Sequence, residues 1–97
     1  MIAANMISII TPVFNEEINI KSYMSHLGSL EGDFELILID GGSSDRTVEE
    51  VQKCINSFNH ELLLLMSKRG RAIQMNKGAK IAHGDILLFL HLISELL

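Results

Sequence analysis

The chain has 97 residues, of which 47% are hydrophobic and 21% charged, which is enough for one small globular domain with a hydrophobic core. Its formal net charge of −4 argues against a nucleic-acid partner or an anionic membrane surface, because both need clustered basic side chains. The lone cysteine, Cys54, excludes an intrachain disulfide, and no signal peptide or apolar run of roughly 20 residues is evident, so we expect a cytoplasmic protein without a transmembrane segment in this chain.

The first part of the chain predicts two strands separated by a helix. Residues 6–14 are rich in isoleucine and are predicted to form a buried strand whose ladder Pro12 ends, because proline has no amide donor. Residues 16–30 are predicted to form a helix that opens with a pair of glutamates. Residues 34–39 are nearly all apolar, as expected for a parallel strand covered on both faces. The helix residues predicted to face the core are Ile20, Tyr23, Met24, Leu27 and Leu30.

The second part predicts two more helices and two more strands. A helix is predicted to begin near Ser44 or Asp45, since either side chain can cap it. Strands are predicted at residues 61–67 and 86–90, with a helix at residues 72–83 between them. The predicted inner faces are Val48, Val51, Ile55 and Phe58 on the second helix and Ala72, Met75, Ala79 and Ala82 on the third, which Gly84 is predicted to cap.

The predicted element order is βαβαβαβ, which indicates a three-layer, Rossmann-like α/β fold with a parallel sheet. We expect a single domain over residues 1–97. Ligands of such sheets bind outside the carboxyl ends of the strands, near the point where the strand order reverses. The side chains that follow each strand are therefore the candidate functional residues.

Three polar clusters follow the first three predicted strands, at residues 11–17, 40–45 and 68–78. The fold is expected to bring all three to one edge of the sheet. The glycine pair after Asp40 allows close backbone approach or positive φ angles. Arg69 and Arg71 stand at the start of a helix, where the helix dipole disfavours cations, so their placement favours a bound anion.

Each of these features also has a plainer explanation. The two aspartates of the second cluster are common turn and cap residues, and the polar residues of the first cluster suit a helix start. The arginines suit a solvated surface. The residues for which such structural roles stay open are Asp40, Asp45, Asn15, Glu16, Arg69 and Arg71, together with surface positions for His26, His60 and His83, a strand start at Asp85 and simple packing at Cys54.

Three segments together resemble the N-terminal half of a family 2 inverting glycosyltransferase of the GT-A fold. They are "SIITPVFNEE", "FELILIDGGSSDRTVE" and "GRAIQMNKGAKIAHGDILLFLH". The chain is most similar to the bacterial branch with an "RGRAxQMNxGA" helix and an "LLFLHADT" strand. The likeness runs from about Ile7 to His91, and the combination of segments is more specific than any one of them.

The resemblance implies a site for a nucleoside diphosphate sugar. It assigns the loop around the base and ribose to the first segment, a base contact and its neighbouring turn to the second, and the diphosphate and donor-facing positions to the third. In that order, the implied donor-binding residues are Thr11, Pro12, Val13, Asn15 and Glu16, then Asp40, Gly42, Ser43 and Asp45, then Arg71, Asn76 and Gly78.

The resemblance also implies a divalent metal, Mg²⁺ or Mn²⁺, that bridges the diphosphate of the donor. The family strand continues from its histidine as His-Ala-Asp-Thr, and that aspartate belongs to the metal-binding motif. In this chain Leu92 follows His91, and Ile93 stands at the aspartate position, where a hydrocarbon side chain cannot ligate the metal. The acceptor-binding half and its general base are also missing from this text. We therefore expect a truncated, inactive protein, which comes either from a frameshifted gene or from a gene that was shortened for expression.

Two other functions remain open from the sequence. The chain could be a non-catalytic remnant that binds a nucleotide weakly, or a structural fragment that forms a homodimer through its apolar C-terminal strand. Full-length relatives could act at the inner face of the membrane. A response-regulator receiver is disfavoured because the first strand ends in "TPVFNEE" and no lysine follows Ile86. A classical dinucleotide fold is disfavoured because the G-x-G-x-x-G motif is absent after the first strand.

Overall fold

The computed structural model of the chain describes residues 5–92, and within them helices and parallel strands alternate as predicted. The element bounds are β1 (Ile7–Val13), α1 (Ile20–Gly28), β2 (Phe34–Asp40), α2 (Thr47–Cys54), β3 (Glu61–Met66), α3 (Arg71–Ile81) and β4 (Ile86–Phe89), with a short 3₁₀ helix (Ile55–Ser57) directly after α2. The predicted βαβαβαβ order and parallel sheet are confirmed.

The sheet has the spatial order β3-β2-β1-β4, and every neighbouring pair is parallel. The chain moves outward from β1 to β2 and β3, and then returns to place β4 on the other side of β1. The strand order therefore reverses between β1 and β4. In this class of fold, the carboxyl ends of those two strands mark the expected ligand crevice.

The helices cover the sheet on both faces, which confirms the three layers. One apolar cluster joins strand residues such as Ile9 and Leu36 to α1 and α2. A second cluster, formed by Ile10, Ile37 and Ile39, packs against alanines of α3. Successive strand residues face opposite sides of the sheet, and both sides are covered, so β2 is buried along its whole length, as its nearly all-apolar sequence predicts.

The first helix is shorter than its sequence pattern predicts. It begins at Ile20, and both Glu16 and Glu17 lie in the loop that precedes it. The predicted core positions Ile20, Met24 and Leu27 are buried, whereas Leu30 is 43% exposed because the helix has already ended at Gly28. The backbone nitrogens of both glutamates instead donate hydrogen bonds to Thr47 and Asp45, as described below.

The inner faces of the other two helices also differ from the prediction. Val51 of α2 is fully buried, but Ile55 lies in the 3₁₀ helix and is 41% exposed, because the tighter turn rotates it away from the sheet. On α3 the buried residues are Gln74 and Gly78, and the predicted Ala72 is exposed. The predicted Ala79 and Ala82 do pack against the sheet, so the predicted face is right at the end of the helix and wrong at its start, where Gln74 takes the inner position.

Two backbone predictions were wrong for physical reasons. Pro12 lies inside β1, paired with Ile39 of β2. Even-numbered β1 residues such as Ile10 form their backbone hydrogen bonds with β4, so the nitrogen of Pro12 points to the β4 side of β1. The described pairing with β4 ends at Ile10, before the proline, and the missing amide therefore removes no bond between β1 and β2. Gly84 does not cap α3, which ends at Ile81. A β-carbon there would lie 2.7 Å from the amide nitrogen of Ser8, so the glycine allows close packing on β1.

A buried carboxylate joins the amino end of the sheet to the segment after α3. Glu35 is 1% exposed and accepts hydrogen bonds from Ser8 Oγ at 2.5 Å and from the backbone nitrogen of His83 at 2.7 Å. His83 Nδ1 lies 3.2 Å from the same carboxylate, so this exposed histidine has a structural partner. Burial opposes ionisation of Glu35, but the hydrogen bonds from Ser8 and His83 outweigh it and lower the pKa of the carboxyl.

The strand β4 carries the most exposed apolar surface of the sheet. It pairs with β1 on one side, and in the described part of the chain no strand covers its other edge. Its four residues are 41–46% exposed, namely Ile86, Leu87, Leu88 and Phe89. Among residues 5–92, no helix is long and apolar enough to cross a membrane.

Candidate functional site

The candidate site is built from three loops that follow β1, β2 and β3. We call residues 14–19 loop 1, residues 41–46 loop 2 and residues 67–70 loop 3. The strand register places the strand ends side by side, with Val13 opposite Asp40 and Asp40 opposite Met66. The three sequence clusters therefore do converge at one edge of the sheet.

Asn15 joins loop 1 to loop 2. Its backbone has a positive φ of 52°, a conformation that Asn tolerates better than most residues. Its side-chain oxygen accepts hydrogen bonds from the backbone nitrogens of Ser44 at 2.8 Å and Asp45 at 3.3 Å. Its own backbone nitrogen donates to Ser43 Oγ at 2.8 Å. This side chain is a bridge between loops and does not begin a helix.

Asp45 makes a second connection between these loops and also binds the first residue of α2, whose N-cap position Arg46 occupies. One carboxylate oxygen accepts from the backbone nitrogen of Thr47 at 2.9 Å, and the other accepts from that of Glu17 at 3.2 Å. Burial disfavours the charged carboxylate, but the bonds from Thr47 and Glu17 outweigh it and lower the pKa of Asp45. The backbone nitrogen of Glu16 donates to Thr47 Oγ1 at 2.7 Å, which completes the connection.

Asp40 folds loop 2 from within. It is 2% exposed, and its carboxylate accepts hydrogen bonds from the backbone nitrogens of Gly42 at 2.9 Å and Ser43 at 2.8 Å, and from Ser43 Oγ at 2.5 Å. Gly42 has a φ of +94°, which a residue with a side chain would adopt only under strain. The aspartate and the glycine together define a tight turn at the end of β2.

Gln74 connects the ends of β1 and β2 to the end of loop 3. This α3 residue is 4% exposed, and its side-chain nitrogen donates to the carbonyl oxygens of Val13 at 3.0 Å and Ile39 at 2.8 Å. Its side-chain oxygen accepts from the backbone nitrogen of Gly70 at 3.0 Å. A polar side chain buried with this many good hydrogen bonds fixes its partners, because breaking any bond leaves a buried polar group unpaired.

An open cleft of about 360 Å³ lies beside these strand ends. The Arg69 guanidinium stands 4.1 Å from the centre of the Phe14 ring, so a cation–π contact joins loop 1 to loop 3 at its rim. Arg71, the exposed first residue of α3, lines the same cleft. The residues that line it are Pro12, Val13, Phe14, Glu16, Arg69, Gly70, Arg71, Gln74, His91 and Leu92.

The residues predicted to bind a donor divide into two groups. Pro12, Val13, Glu16 and Arg71 line the cleft. Thr11 is fully buried, with its hydroxyl 2.6 Å from Tyr23 Oη, whose pKa is raised by burial. The others lie beside or behind the cleft. Asn15 and Asp45 line an adjacent pocket together with Glu16. The turn contains Asp40, Gly42 and Ser43, and α3 carries Asn76 and Gly78.

The two α3 residues of that second group do not face the cleft. Asn76 is exposed, and it is two positions from the inward Gln74 along the helix. Gly78 packs against the sheet, since a β-carbon there would lie 2.7 Å from Ile39 Cδ1 and 2.8 Å from Ile10 Cγ2. The glycine brings α3 close enough for Gln74 to reach the strand ends.

Three residues that line the cleft are not among the predicted donor-binding residues, namely Gln74, Phe14 and His91. A signal for Gln74 was available, because a glutamine four residues before a glycine on the same helix face interrupts an otherwise apolar inner surface. The potential metal ligands that line the described cleft include Glu16 and His91, and no group of three such ligands converges anywhere in residues 5–92. The position of Ile93 lies outside the described residues.

The comparisons with known proteins agree with this geometry. The sequence profile of glycosyl transferase family 2 matches residues 8–92. A glycosyltransferase of Haemophilus influenzae, itself uncharacterized, is 36% identical over 87 residues, which cover 88% of this chain and 35% of that protein. An undecaprenyl-phosphate 4-deoxy-4-formamido-L-arabinose transferase of Proteus mirabilis is 29% identical and is covered to 28%. The chain spans about a third of the length of these relatives.

Solved structures show the same arrangement of strands and helices. Residues 1–349 of TarS from Staphylococcus aureus align with a TM-score of 0.76 and 28% identity, covering 89% of this chain and 27% of that one. The same protein has been solved with UDP-GlcNAc, with a TM-score of 0.73. The mannosyltransferase PcManGT of Pyrobaculum calidifontis, solved with GDP-Man and Mn²⁺, aligns with a TM-score of 0.77 at 21% identity, covering 88% of this chain and 26% of that one, which is a likeness of fold.

Proposed function

Because this chain belongs to glycosyl transferase family 2, we propose that the cleft at the carboxyl end of its sheet binds the nucleoside diphosphate of a sugar donor. The observation that carries the proposal is the position of the cleft. It lies beside the end of β1 and the segment after β4, where the strand order reverses, and the walls are two loops and the start of a helix. The chain is a transferase by family.

The charges around the cleft support an anionic ligand. Arg69 and Arg71 flank Gly70 at the beginning of α3, so two guanidinium groups add to the partial positive charge of the helix end. The chain as a whole has a net charge of −4, so this local excess of positive charge is a property of the site. We assign the diphosphate to the Arg71 side of the cleft.

The other predicted residues take two kinds of role in this proposal. Pro12, Val13 and Glu16 form the wall against which the base and ribose lie. Asn15, Asp40 and Asp45 position the loops, because their side-chain oxygens accept bonds from loop backbone. A direct contact from Asp40 to the base would compete with the bonds that fold loop 2. Thr11 supports the wall from behind through Tyr23.

A divalent metal remains part of the family expectation, and two structural neighbours were solved with Mn²⁺. Within residues 5–92 the ligand set for such an ion is incomplete, so we assign no step to a metal here. We also propose that this 97-residue chain has little transferase activity by itself, since the described residues include no assigned catalytic base.

Cys54 is a free thiol, which suits the reducing cytoplasm.

A nucleotide titration tests the proposal. We expect the purified chain to bind UDP or GDP, and Arg71→Gln to weaken binding by about 1.5–3 kcal/mol, the usual contribution of a charge-assisted hydrogen bond. Lys80→Gln is the matched control, because it removes the same charge from an exposed position in the last turn of α3. Wild-type protein that binds neither nucleotide would overturn the proposal.

The exposed β4 favours a second property, self-association. Its four apolar residues, and an edge that no strand within residues 5–92 covers, are the features by which strands pair between molecules. We propose a dimer in which β4 of one copy meets β4 of another. Sedimentation velocity over a range of concentrations should show a monomer–dimer equilibrium that Leu88→Lys shifts to monomer, and a strict monomer at all concentrations would contradict it.

A further inference from the structure

We propose that Gln74 is the positioning residue of the donor cleft, in that its side-chain amide sets the distance between the cleft walls. The inference rests on the proposed function, because it gives Gln74 a role in nucleotide binding. It adds a residue that the sequence segments do not assign to the ligand.

The partners of Gln74 belong to different walls. Val13 ends β1 and lines the cleft, and Gly70 ends loop 3 and also lines it. Ile39 directly precedes Asp40, whose carboxylate folds loop 2. One amide group therefore holds the ends of two strands and the start of α3 at fixed hydrogen-bond distances of 2.8–3.0 Å.

The amide is the side chain suited to this position. Two carbonyl oxygens need two N–H donors, and one backbone N–H needs an acceptor, which is the combination that a single carboxamide supplies. A carboxylate would place a negative charge against both carbonyl oxygens, and a methionine of equal length would make none of the three hydrogen bonds. The Val13 carbonyl would keep its bond from the Gly41 amide, so the methionine variant loses the connection between α3 and the strand ends and not every partner of that carbonyl. Since Gln74 is 4% exposed, water does not easily replace the lost bonds.

Two arginines at the rim of the cleft connect the hydrogen bonds of Gln74 to the proposed ligand. Arg69 and Arg71 adjoin Gly70 on either side, so the backbone that Gln74 holds carries both guanidinium groups. A shift of about 1 Å in such a frame can cost up to about 100-fold in function. We therefore expect Gln74 substitutions to act on nucleotide affinity more than on folding.

The experiment compares Gln74→Met and Gln74→Glu with a stability-matched control, Val51→Ala, on the opposite face of the sheet. UDP and GDP affinities are measured by calorimetry, and hydrogen exchange is followed at the Gly70 amide. We expect Gln74→Met to weaken affinity roughly tenfold or more, and Val51→Ala to change it less than about twofold at equal loss of stability. The Gln74→Glu variant, relative to wild type, should regain affinity as pH falls, because the neutral carboxyl can donate one hydrogen bond.

Each outcome decides the inference. Equal affinities for Gln74→Met and Val51→Ala would overturn it, as would a Gln74→Glu variant whose affinity relative to wild type is independent of pH. If the methionine variant does not fold, the pH dependence of the glutamate variant decides. If wild-type protein binds neither nucleotide, the proposed function fails. Gly70 exchange then decides the positioning role, which faster exchange in the Gln74 variants supports and unchanged exchange rejects.

Discussion

The side chain of Gln74 fills the space that a β-carbon on Gly41 would need. A β-carbon built on Gly41 would lie 2.9 Å from both Cδ and Oε1 of the Gln74 amide. No real β-carbon tolerates that approach, so the glycine at the end of β2 and the glutamine on α3 require each other. The glycine pair in loop 2 thus has two separate functions, since Gly42 supplies a positive φ and Gly41 supplies space.

Gly41→Ala should therefore destabilise the protein by about 1–3 kcal/mol, the usual cost of overpacking. The loss should be smaller in a Gln74→Ala background, because the colliding amide is gone. Urea unfolding of the two single variants and the double variant measures the coupling. Strictly additive losses would show that the two residues do not share space.

Gly78→Ala should also destabilise the protein by about 1–3 kcal/mol, because the new methyl group would meet Ile39 Cδ1 at 2.7 Å. Ile39→Val removes that Cδ1 atom. The double variant is expected to lose less stability than the sum of the single variants. The relief should be partial, because Ile10 Cγ2 would still lie 2.8 Å from the new methyl group. If Gly78→Ala alone costs no stability, α3 does not approach the sheet as closely as described.

Glu35→Gln tests the polar network at the amino end of the sheet. The folded-state pKa of Glu35 lies below its ordinary value of 4.5, so its contribution to stability is present above that pH and is lost as pH falls through the folded pKa. The variant should lose about 1–3 kcal/mol at pH 7 and show a shallower decline in stability in acid. Glu31→Gln, on an exposed side chain, is the control. An unchanged acid profile in Glu35→Gln would contradict the assignment.

Asn15 combines a positive φ with three contacts to loop 2, and two substitutions separate these effects. Asn15→Gly keeps the backbone conformation but removes the side-chain acceptor, while Asn15→Ala removes the acceptor and adds backbone strain of about 1–2 kcal/mol. We expect alanine to be less stable than glycine, and both to be less stable than wild type, by thermal unfolding. Equal stability of the alanine and glycine variants would rule out the strained backbone.

The sequence predicted the fold because the strands carry strong local signals. The run from Leu36 to Ile39 is apolar throughout, and it lies in an inner, fully buried strand. The helix boundaries were harder to predict. Glu16 and Glu17 have the composition of a helix start, but their backbone amides bond to Thr47 and Asp45, which lie about 30 residues away in sequence. Contacts of that kind leave no local trace.

The candidate site was predictable in outline and not in detail. The clusters around Asn15, Asp40 and Arg71 converge, since parallel topology brings strand ends together. Which side chains face the cleft depends on helix phase and on turn geometry. The resemblance assigns Gly78 to the donor-facing helix, and in the structure this glycine packs against the sheet. Gln74 belongs to a polar stretch of the sequence, and in the structure it is buried beside the strand ends. Both differences come from tertiary packing of α3.

The most direct test is a titration of the isotope-labelled chain with UDP and GDP, followed residue by residue in amide NMR spectra. We expect the largest shifts at Glu16, Gly70 and Arg71, which line the cleft. Small shifts are expected at Ser8 and Glu35, at the opposite end of the sheet. Shifts concentrated at that amino end, or no shifts with either nucleotide at millimolar concentration, would contradict a donor site in this cleft.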